Sequence, residues 1–541
     1  MIKYSLSALF SLFIIISGFG QSWNKANLPK EWHLKDPQAD SLQGVSVDMT
    51  YGSLLQGQPS RTVIVAVIDS GVDTEHEDLT GRIWVNQDEI AGNGKDDDKN
   101  GYIDDIHGWN FIGGKDGNVN QDTDELTREY TRLKERYGNM EEKDVPKKQR
   151  TDYEQYLKVK TKFEKLVETN TEQYEQYNNL YINVKISVDT LKALLQVDKL
   201  TPELVSEFNS SEPSLIFAKG FVLNIFRNIG PDSDLDQFVT ELKEAASHFE
   251  QIITYGYNEE FNPRTIVGDN YNDPYEKGYG NNDVKGPDAM HGTHVAGIIA
   301  ANRNNEIGAK GIAENVMIMS VRAVPNGDER DKDVANAIRY AVDNGAHIIN
   351  MSFGKSISPQ KDVVDKAVKY AEQKGVLLIH AAGNDGDDID VEKNFPTRYY
   401  QDGTEAKNWI EVGASSWGAD KNFVGDFSNY GKKSVDLFAP GVEIYSTLPD
   451  NKYKDLNGTS MASPVVAGVA ALLMSYFPEF SALEIKDILR QSTRKFDNLT
   501  INKPGGKGEI QFSDMSNTGG LLNAYQAVKL AMELKTKKLT K

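Results

Sequence analysis

Three short segments of this chain carry side chains that together could hydrolyse a carbonyl compound. Asp69 follows the apolar run 63–68, His291 opens the segment HGTHVAGIIA, and Ser460 lies in the segment NGTSMASPVVAG. A serine hydroxyl attacks a carbonyl carbon when a histidine removes its proton, and a carboxylate orients that histidine and stabilises its charged form. The three residues therefore predict a hydrolase in which Ser460 forms an acyl intermediate.

Each of the three side chains is expected at the end of an element of an α/β fold. The continuous β-branched run 63–68 predicts a buried parallel strand that presents Asp69 at its carboxyl end, where open α/β sheets bind their ligands. The small and apolar residues after His291 predict a helix packed closely on the sheet. Ser460 is expected in the first turn of another helix, where free N–H groups and the helix dipole favour the anion of acyl transfer.

Each residue also has a purely structural explanation when it is taken alone. Asp69 could be a turn or helix-capping residue, His291 a core histidine with its hydrogen bonds satisfied, and Ser460 a helix cap. The order and the flanking residues of the three segments favour the catalytic interpretation.

The segments VIVAVIDSGVD, HGTHVAGIIA and NGTSMASPVVAG closely resemble the three catalytic motifs of the subtilases, the subtilisin-like serine peptidases. Their order along the chain, Asp, His, Ser, is also the subtilisin order. The resemblance covers roughly residues 45–113 and 284–535. It implies a three-layer α/β domain with a mainly parallel sheet, acting as a serine endopeptidase on protein or peptide substrates. An exopeptidase with a restricted cleft, and a catalytically silent binding protein on the same fold, stay open as alternatives.

The resemblance also implies roles for residues that follow two further predicted strands. Asn384, at the end of GVLLIHAAGN, resembles the side-chain donor of the oxyanion hole, which the backbone N–H of Ser460 would complete; a simple turn is the alternative. The substrate-binding edge is expected at Ser352, Phe353 and Gly354, and the opposite wall of the first specificity pocket at Ala381, Ala382 and Gly383. The pocket floor is not assigned, because residues 398–407 look like an irregular insertion, and the cleavage preference is left open.

Residues 93–105 fit the pattern D-x-D-x-N-G-x-x-D, the first half of an EF-hand calcium loop. The predicted ligands are the side chains of Asp96, Asp98, Asn100 and Asp104 and the backbone carbonyl of Tyr102. Position twelve of the loop is His107 instead of glutamate, so Asp105 or a residue elsewhere must complete the shell. The pattern predicts a structural calcium site, and a solvated acidic turn is the alternative.

Composition narrows the class of protein. The chain has 541 residues, 39% of them hydrophobic, which is enough for one large catalytic domain and about one further module. Its 60 basic and 80 acidic residues give a net charge of −20, which argues against nucleic acids and anionic membranes as partners. Because the chain has no cysteine, disulfides and a cysteine peptidase are excluded. The oligomeric state is not predicted.

The first 20 residues have a positive start, an apolar centre and a small-residue end, the pattern of a secretory signal peptide. The protein is therefore expected to be exported, either periplasmic or secreted, and without stable membrane insertion. The catalytic domain is predicted over residues 21–113 and 284–535, followed by a tail over 536–541.

Residues 114–283 separate the Asp and His motifs by far more than is typical of subtilases. Helical patterns over 122–137, 148–195 and 234–255 predict an inserted α-helical module, and a proline start predicts a further helix at Pro202. The aromatic stripe of residues 156–195 is interpreted as packing. Only 48 residues separate Gly20 from Asp69, too few for a propeptide domain and a strand. We hypothesise that the helical module replaces a propeptide as a folding aid or gates the cleft.

Overall fold

A computed structural model describes residues 27–540. The predicted signal peptide, residues 1–20, lies outside the described residues. The chain divides into two compact units: Pro29–Glu129 with Glu260–Lys541, and Tyr130–Glu259. Of the predicted insertion, residues 130–259 thus belong to the smaller unit, whereas residues 114–129 and 260–283 belong to the larger one.

The elements are numbered in chain order. The α-helices are α1 Val47–Ser53, α2 Glu125–Tyr137, α3 Arg150–Leu195, α4 Pro202–Glu207, α5 Pro213–Ile229, α6 Leu235–Gln251, α7 Arg264–Val267, α8 Met290–Ala300, α9 Asp331–Asp343, α10 Lys361–Gln373, α11 Thr459–Tyr476, α12 Ala482–Gln491 and α13 Ala524–Leu539. The strands are β1 Val63–Asp69, β2 Gly108–Asn110, β3 Gly113–Gly114, β4 Gly117–Asn118, β5 Val316–Arg322, β6 Ile348–Met351, β7 Leu377–Ala381, β8 Trp409–Ser415, β9 Leu437–Pro440, β10 Ile444–Leu448, β11 Lys452–Leu456, β12 Arg494–Lys495, β13 Thr500–Asn502, β14 Glu509–Gln511 and β15 Gly520–Leu521.

Nine strands of the larger unit form one sheet, in the order β12-β15-β9-β8-β7-β6-β1-β5-β2. All neighbours in this sheet pair in parallel except β12 with β15. The central strands read as near-continuous apolar runs because a parallel sheet is covered by helices on both faces. The predicted fold class, an α/β domain with a mainly parallel sheet, is confirmed.

Alternate residues of the central strands identify the two helical layers. Ala66 and Ile68 of β1 share a buried cluster with Val334 and Ile338 of α9, and α10 packs beside α9. On the other face of the sheet, α11 packs across β6, β7 and β8 and contacts α8. The sheet is therefore the middle of three layers, and the two helices that begin near His291 and Ser460 lie on the same side of it.

One described helix, α11, is apolar and long enough by composition to cross a membrane. Its mean hydropathy is 1.4 over 18 residues, but 89% of that window is buried inside the structure. It is the central core helix of the larger unit.

The smaller unit is helical. The long helix α3 packs against α5 and α6, and its residues Val184, Val188 and Leu191 are buried among apolar residues of those helices. The ring of Phe163 stacks on that of Tyr130 with 4.4 Å between the centroids. These residues of the aromatic stripe thus serve packing, as interpreted from the sequence, and α5 is a helix that the sequence analysis did not identify.

Two helices of this unit begin at residues whose side chains cap the first turn. Thr201 caps α4, with its hydroxyl accepting a hydrogen bond from the backbone N–H of Leu204, and proline occupies the first turn as predicted. Asp234 caps α6 through the backbone N–H groups of Asp236 and Gln237. The helix predicted over 234–255 ends as an α-helix at Gln251 and continues as a π-helical turn, Ile252–Gly256.

Candidate active site

Asp69 is the last residue of β1, at the carboxyl edge of the sheet, and is buried. One of its carboxylate oxygens, Oδ1, accepts a hydrogen bond from the backbone N–H of Ser70 and lies 2.7 Å from Nδ1 of His291. Because a carboxylate only accepts hydrogen bonds, this distance assigns the proton to Nδ1 and leaves Nε2 of a neutral ring as the acceptor.

His291 reaches Asp69 because glycine follows it. A Cβ atom on Gly292 would lie 2.1 Å from the backbone oxygen of Gly71 and 3.1 Å from Cβ of Asp69. Any side chain here would push the start of α8 away from the end of β1. The start of the helix is also held by Thr293, whose hydroxyl accepts a hydrogen bond from the backbone N–H of Asp73.

The electrostatic surroundings of His291 favour its charged form. Burial by itself lowers the pKa of the imidazole, but the negative charge of Asp69 and its hydrogen bond act in the opposite direction, and the charge of Asp288 adds to them. The pKa of His291 is therefore raised above its usual 6.5. About a third of the side chain is exposed, so the ring is open to a substrate on one side.

Ser460 lies in the first turn of α11 and is tied to Ser352 by two reciprocal contacts. The Ser460 hydroxyl donates to the backbone oxygen of Ser352 at 3.0 Å, and the Ser352 hydroxyl donates to the backbone oxygen of Ser460 at 2.9 Å. The Ser352 hydroxyl also accepts from the side chain of Asn350, which is linked to α11 through the hydroxyl of Ser463. Ser460 is thus anchored to the end of β6.

The register of the sheet brings the two halves of the site together. Ile68 of β1 pairs directly with Met351 of β6. The next residues, Asp69 and Ser352, therefore lie side by side at the ends of these adjacent parallel strands. Adjacent strands are about 4.8 Å apart. His291, held by Asp69, and Ser460, held by Ser352, consequently converge on one edge of the sheet.

The hydroxyl of Ser460 is not hydrogen-bonded to His291 among the described residues, because it donates to Ser352 instead. A turn about the Cα–Cβ bond of Ser460 redirects the hydroxyl without moving the backbone. Catalytic hydrogen bonds of this kind often tighten only when substrate binds.

Asn384 lies beyond the end of β7, next to the backbone of the Ser460 turn. Its Oδ1 accepts hydrogen bonds from the backbone N–H of Thr459, at 2.8 Å, and from the Thr459 hydroxyl, at 3.0 Å. Among residues 27–540, Nδ2 of Asn384 donates no hydrogen bond, so it is available as a donor. A Cβ atom on Gly458 would lie 3.6 Å from this Nδ2 and 3.5 Å from the backbone nitrogen of Ser460, so both donors border the space beside Gly458.

The predicted pocket walls follow two adjacent strands. Ser352 comes directly after β6, with Phe353 packed against the core, and Ala381 ends β7, which pairs with β6. The backbone N–H of Gly383 donates to the hydroxyl of Thr459, which fixes the second wall to the Ser460 turn. The remaining wall residues, Gly354 and Ala382, continue the two segments.

The predicted calcium loop brings together three carboxylates, of which the sequence analysis named two. Oxygen atoms of Glu89, Asp96 and Asp98 all lie within 4.8 Å of one another. The sequence pattern does not include Glu89 because it lies seven positions before Asp96, the first ligand of the pattern. Oxygen donors at this spacing fit a hard divalent cation, and the cluster is costly without one.

The other predicted ligands have different contacts. The carboxylate of Asp104 accepts hydrogen bonds from the backbone N–H groups of Asn93 and Gly94, at 3.2 and 2.8 Å, and does not join the three carboxylates. The side chain of Asn100 donates to Asp98 and to Asp105, and the backbone N–H of Tyr102 donates to Oδ1 of Asn100. The carboxylate of Asp105, the suggested completing ligand, instead accepts from Tyr340, Asn86 and Asn100.

Comparison with known proteins identifies a family and several relatives of this chain. Residues 60–508 match the model of the subtilase family. The chain is 43% identical over 206 residues to a thermophilic serine proteinase of Bacillus sp. (strain AK1), an alignment that covers 38% of this chain and 47% of that protein. It is 42% identical over 239 residues to thermitase of Thermoactinomyces vulgaris, covering 44% of this chain and 74% of thermitase.

The chain spans about half the length of the first curated relatives that it matches. A solved structure of a protease from Pseudoalteromonas arctica PAMC 21717 aligns at 28% identity over 47% of this chain and 80% of that chain, with a TM-score of 0.39.

The pKa of His291 is the measurable consequence of its contact with Asp69. In an NMR titration of the imidazole resonances, with His291 identified by its loss in His291→Ala, we expect a midpoint above 6.5. Asp69→Asn should lower this midpoint, because the charge disappears while burial of the ring stays. Asp288→Asn is the matched control and should lower it less, since Asp288 contributes charge without a hydrogen bond. An unchanged midpoint in Asp69→Asn would contradict the contact.

Proposed function

The chain belongs to the subtilase family, and from this premise we propose that it is an exported serine endopeptidase that hydrolyses peptide bonds through an acyl-enzyme on Ser460. The observation that carries this proposal is the 2.7 Å contact between Asp69 and His291 at the sheet edge where Ser460 is anchored. Asp69, His291, Ser460 and Asn384 are the proposed catalytic residues.

The proposed reaction begins when the Ser460 hydroxyl turns from the backbone oxygen of Ser352 to Nε2 of His291. Nε2 removes the hydroxyl proton as Oγ attacks the peptide carbonyl carbon, and Asp69 stabilises the resulting imidazolium. The negative carbonyl oxygen is stabilised by Nδ2 of Asn384 and the backbone N–H of Ser460. His291 then gives the proton to the departing amine, and water releases the acyl group by the same steps.

Substrate is proposed to bind as an extended strand along Ser352–Gly354. Backbone pairing of this kind accepts many sequences, and side-chain pockets set the preference. The name of one relative, thermophilic serine proteinase, supports a protein or peptide substrate. Export is supported by the leader pattern of residues 1–20, and the absence of cysteine is compatible with it.

The catalytic assignment predicts selective labelling of one serine. A fluorophosphonate should label the full chain at Ser460, and Ser460→Ala should abolish the label because the nucleophile is gone, whereas Ser513→Ala, at an exposed serine, should keep it.

Asn384→Ala should lower kcat on a peptide substrate by about 100- to 1,000-fold, the loss known for the side-chain oxyanion donor of a subtilisin.

A cyclic peptide without chain ends separates the alternatives. An endopeptidase opens the ring, and an exopeptidase does not. If the protein cleaves linear peptides but never the cyclic one, it is an exopeptidase and the proposed endopeptidase activity is wrong. If the unaltered chain is neither labelled nor able to cleave, it is a catalytically silent binding protein.

We further propose that the loop containing Asp96 and Asp98, with Glu89, holds a structural calcium ion. The cation would offset two of the three negative charges of the clustered carboxylates and cross-link two stretches of chain before β2. It would play no part in bond breaking, which the residues of the sheet edge perform.

Calcium should therefore raise the melting temperature of the full chain, because a ligand that binds only the folded state stabilises it by about 2.7 kcal/mol at a hundredfold excess over Kd. Glu89→Gln and Asp98→Asn should each reduce the calcium-dependent rise measured by calorimetry, and Glu392→Gln, at an exposed position, should leave it intact. An equal calcium-dependent rise in melting temperature in all variants would contradict a calcium site at Glu89 and Asp98.

A further inference from the structure

Lys355 directly follows the predicted substrate-binding edge, residues 352–354, and its side chain is only 1% exposed. Its ammonium nitrogen, Nζ, lies 2.7 Å from Oε2 of Glu125 and 2.9 Å from Oδ1 of Asp331, and it donates to the backbone oxygen of Glu329 at 2.7 Å. The lysine at the far end of the edge is thus held by two carboxylates and a carbonyl.

Glu125 is the first residue of α2 and lies within residues 114–283, which separate the Asp and His motifs. Its backbone N–H donates to Oδ2 of Asp328 at 2.8 Å, and its carboxylate accepts a second ionic hydrogen bond, from Arg128, also at 2.8 Å. Both residues of the pair between Glu125 and Lys355 belong to the larger unit. A buried ion pair therefore connects the start of the first inserted helix to the substrate-binding edge.

The surroundings keep both members of this pair charged. Burial by itself lowers the pKa of Lys355, but the charges of Glu125 and Asp331 act in the opposite direction, and the pKa is raised above its usual value. Burial by itself raises the pKa of Glu125, but Lys355 and Arg128 outweigh it and lower the pKa to about 2. Removing one partner of such a pair leaves the other charge buried without compensation, so the contact is hard to displace.

The edge between its two ends has no hydrogen-bond partner of its own. Among residues 27–540, the backbone groups of Phe353 and Gly354 make no hydrogen bond. At one end, the hydroxyl of Ser352 donates to the turn that carries the nucleophile. At the other end, the backbones of Lys355 and Phe395 exchange two hydrogen bonds, at 2.9 and 2.8 Å. The open backbone groups are available to an added peptide strand, and their direction depends on how the two ends are held.

We propose that Lys355, held by Glu125, is a positioning residue that fixes the far end of the edge 352–354, where the substrate residues more distant from the cleaved bond bind. The inference rests on the proposed peptidase function and adds a role for the inserted segment in substrate binding. Lys355 takes no part in the proton transfers.

The expected effect depends on the length of the substrate. An extended chain advances by about 3.3 Å per residue, so a substrate residue beside Gly354 lies about two residues further from the nucleophile than one beside Ser352. Without the ion pair, the near end of the edge stays tied to the nucleophile turn, while the far end loses the anchor of the Lys355 side chain. Binding of a long substrate should therefore weaken, whereas a short substrate and the chemical step should be affected little.

The test uses the full chain and two N-acetylated p-nitroanilide peptides, with one alanine or four alanines before the cleaved bond. For the unaltered enzyme we expect kcat/KM to be about tenfold or more higher for the longer peptide. In Lys355→Met this gain should fall by about fivefold or more, through a higher KM for the longer peptide at nearly unchanged kcat. Glu125→Gln should reduce the gain in the same direction. Lys355→Arg keeps the charge and should retain more of the gain than Lys355→Met.

The matched control is Lys486→Met, the same chemical change at another buried lysine, whose ammonium donates to the backbone oxygen of Lys407 at 2.9 Å. It should leave the gain unchanged. Titration with a fluorophosphonate gives the concentration of active enzyme in each variant, and partial unfolding cancels in the ratio of the two peptides. If Lys355→Met does not fold, Glu125→Gln takes its place with the same expected direction.

Three results overturn the proposal. The first is a gain in Lys355→Met and Glu125→Gln that stays within about twofold of that of the unaltered enzyme. The second is an equal fall of the gain in Lys486→Met, and the third is an unaltered enzyme that does not favour the longer peptide. All three are read with Ser460 labelled normally by fluorophosphonate. Loss of labelling in the unaltered chain would instead remove the proposed function itself, so the two failures are distinguishable.

Discussion

The contact between a buried carboxylate and a partly open imidazole is the constraint on which this site depends. Asp69 is buried at the end of a central strand, and His291 contacts its Oδ1 at 2.7 Å. The contact needs Gly292, since any side chain there would meet the backbone of Gly71. Gly292 therefore leaves room for the contact with Asp69, and that contact sets the tautomer of His291 and raises its pKa.

The parallel sheet extends this constraint to the other side chains. With Ile68 opposite Met351, the ends of β1 and β6 lie side by side, and Ser352 holds the turn that carries Ser460. The next strand, β7, leads to Asn384 and to the second pocket wall. Backbone pairing of β1, β6 and β7 therefore fixes the relative positions of the proposed catalytic residues that follow these strands.

The sequence predicts the parts of the fold and of the candidate site that lie in motifs or in periodic runs of apolar residues. Asp69, His291, Ser460 and Asn384 lie in long segments of strand, turn and helix, and the apolar runs identify the parallel sheet. Glu89 could not be found in this way, because it joins the carboxylate cluster from a segment with no periodic pattern. Asp104 fits the calcium spacing, yet its carboxylate binds the backbone of the loop's own start. The orientation of the Ser460 hydroxyl likewise depends on tertiary contacts with Ser352.

The central claim is that these side chains act as one unit on a carbonyl group, and a crystal structure with a peptide aldehyde bound tests it most directly. The account predicts a covalent bond from Oγ of Ser460 to the aldehyde carbon, Nε2 of His291 within hydrogen-bonding distance, and the oxygen of the adduct between Nδ2 of Asn384 and the backbone N–H of Ser460. An aldehyde that leaves Ser460 unmodified and its hydroxyl still bonded to Ser352 would contradict it.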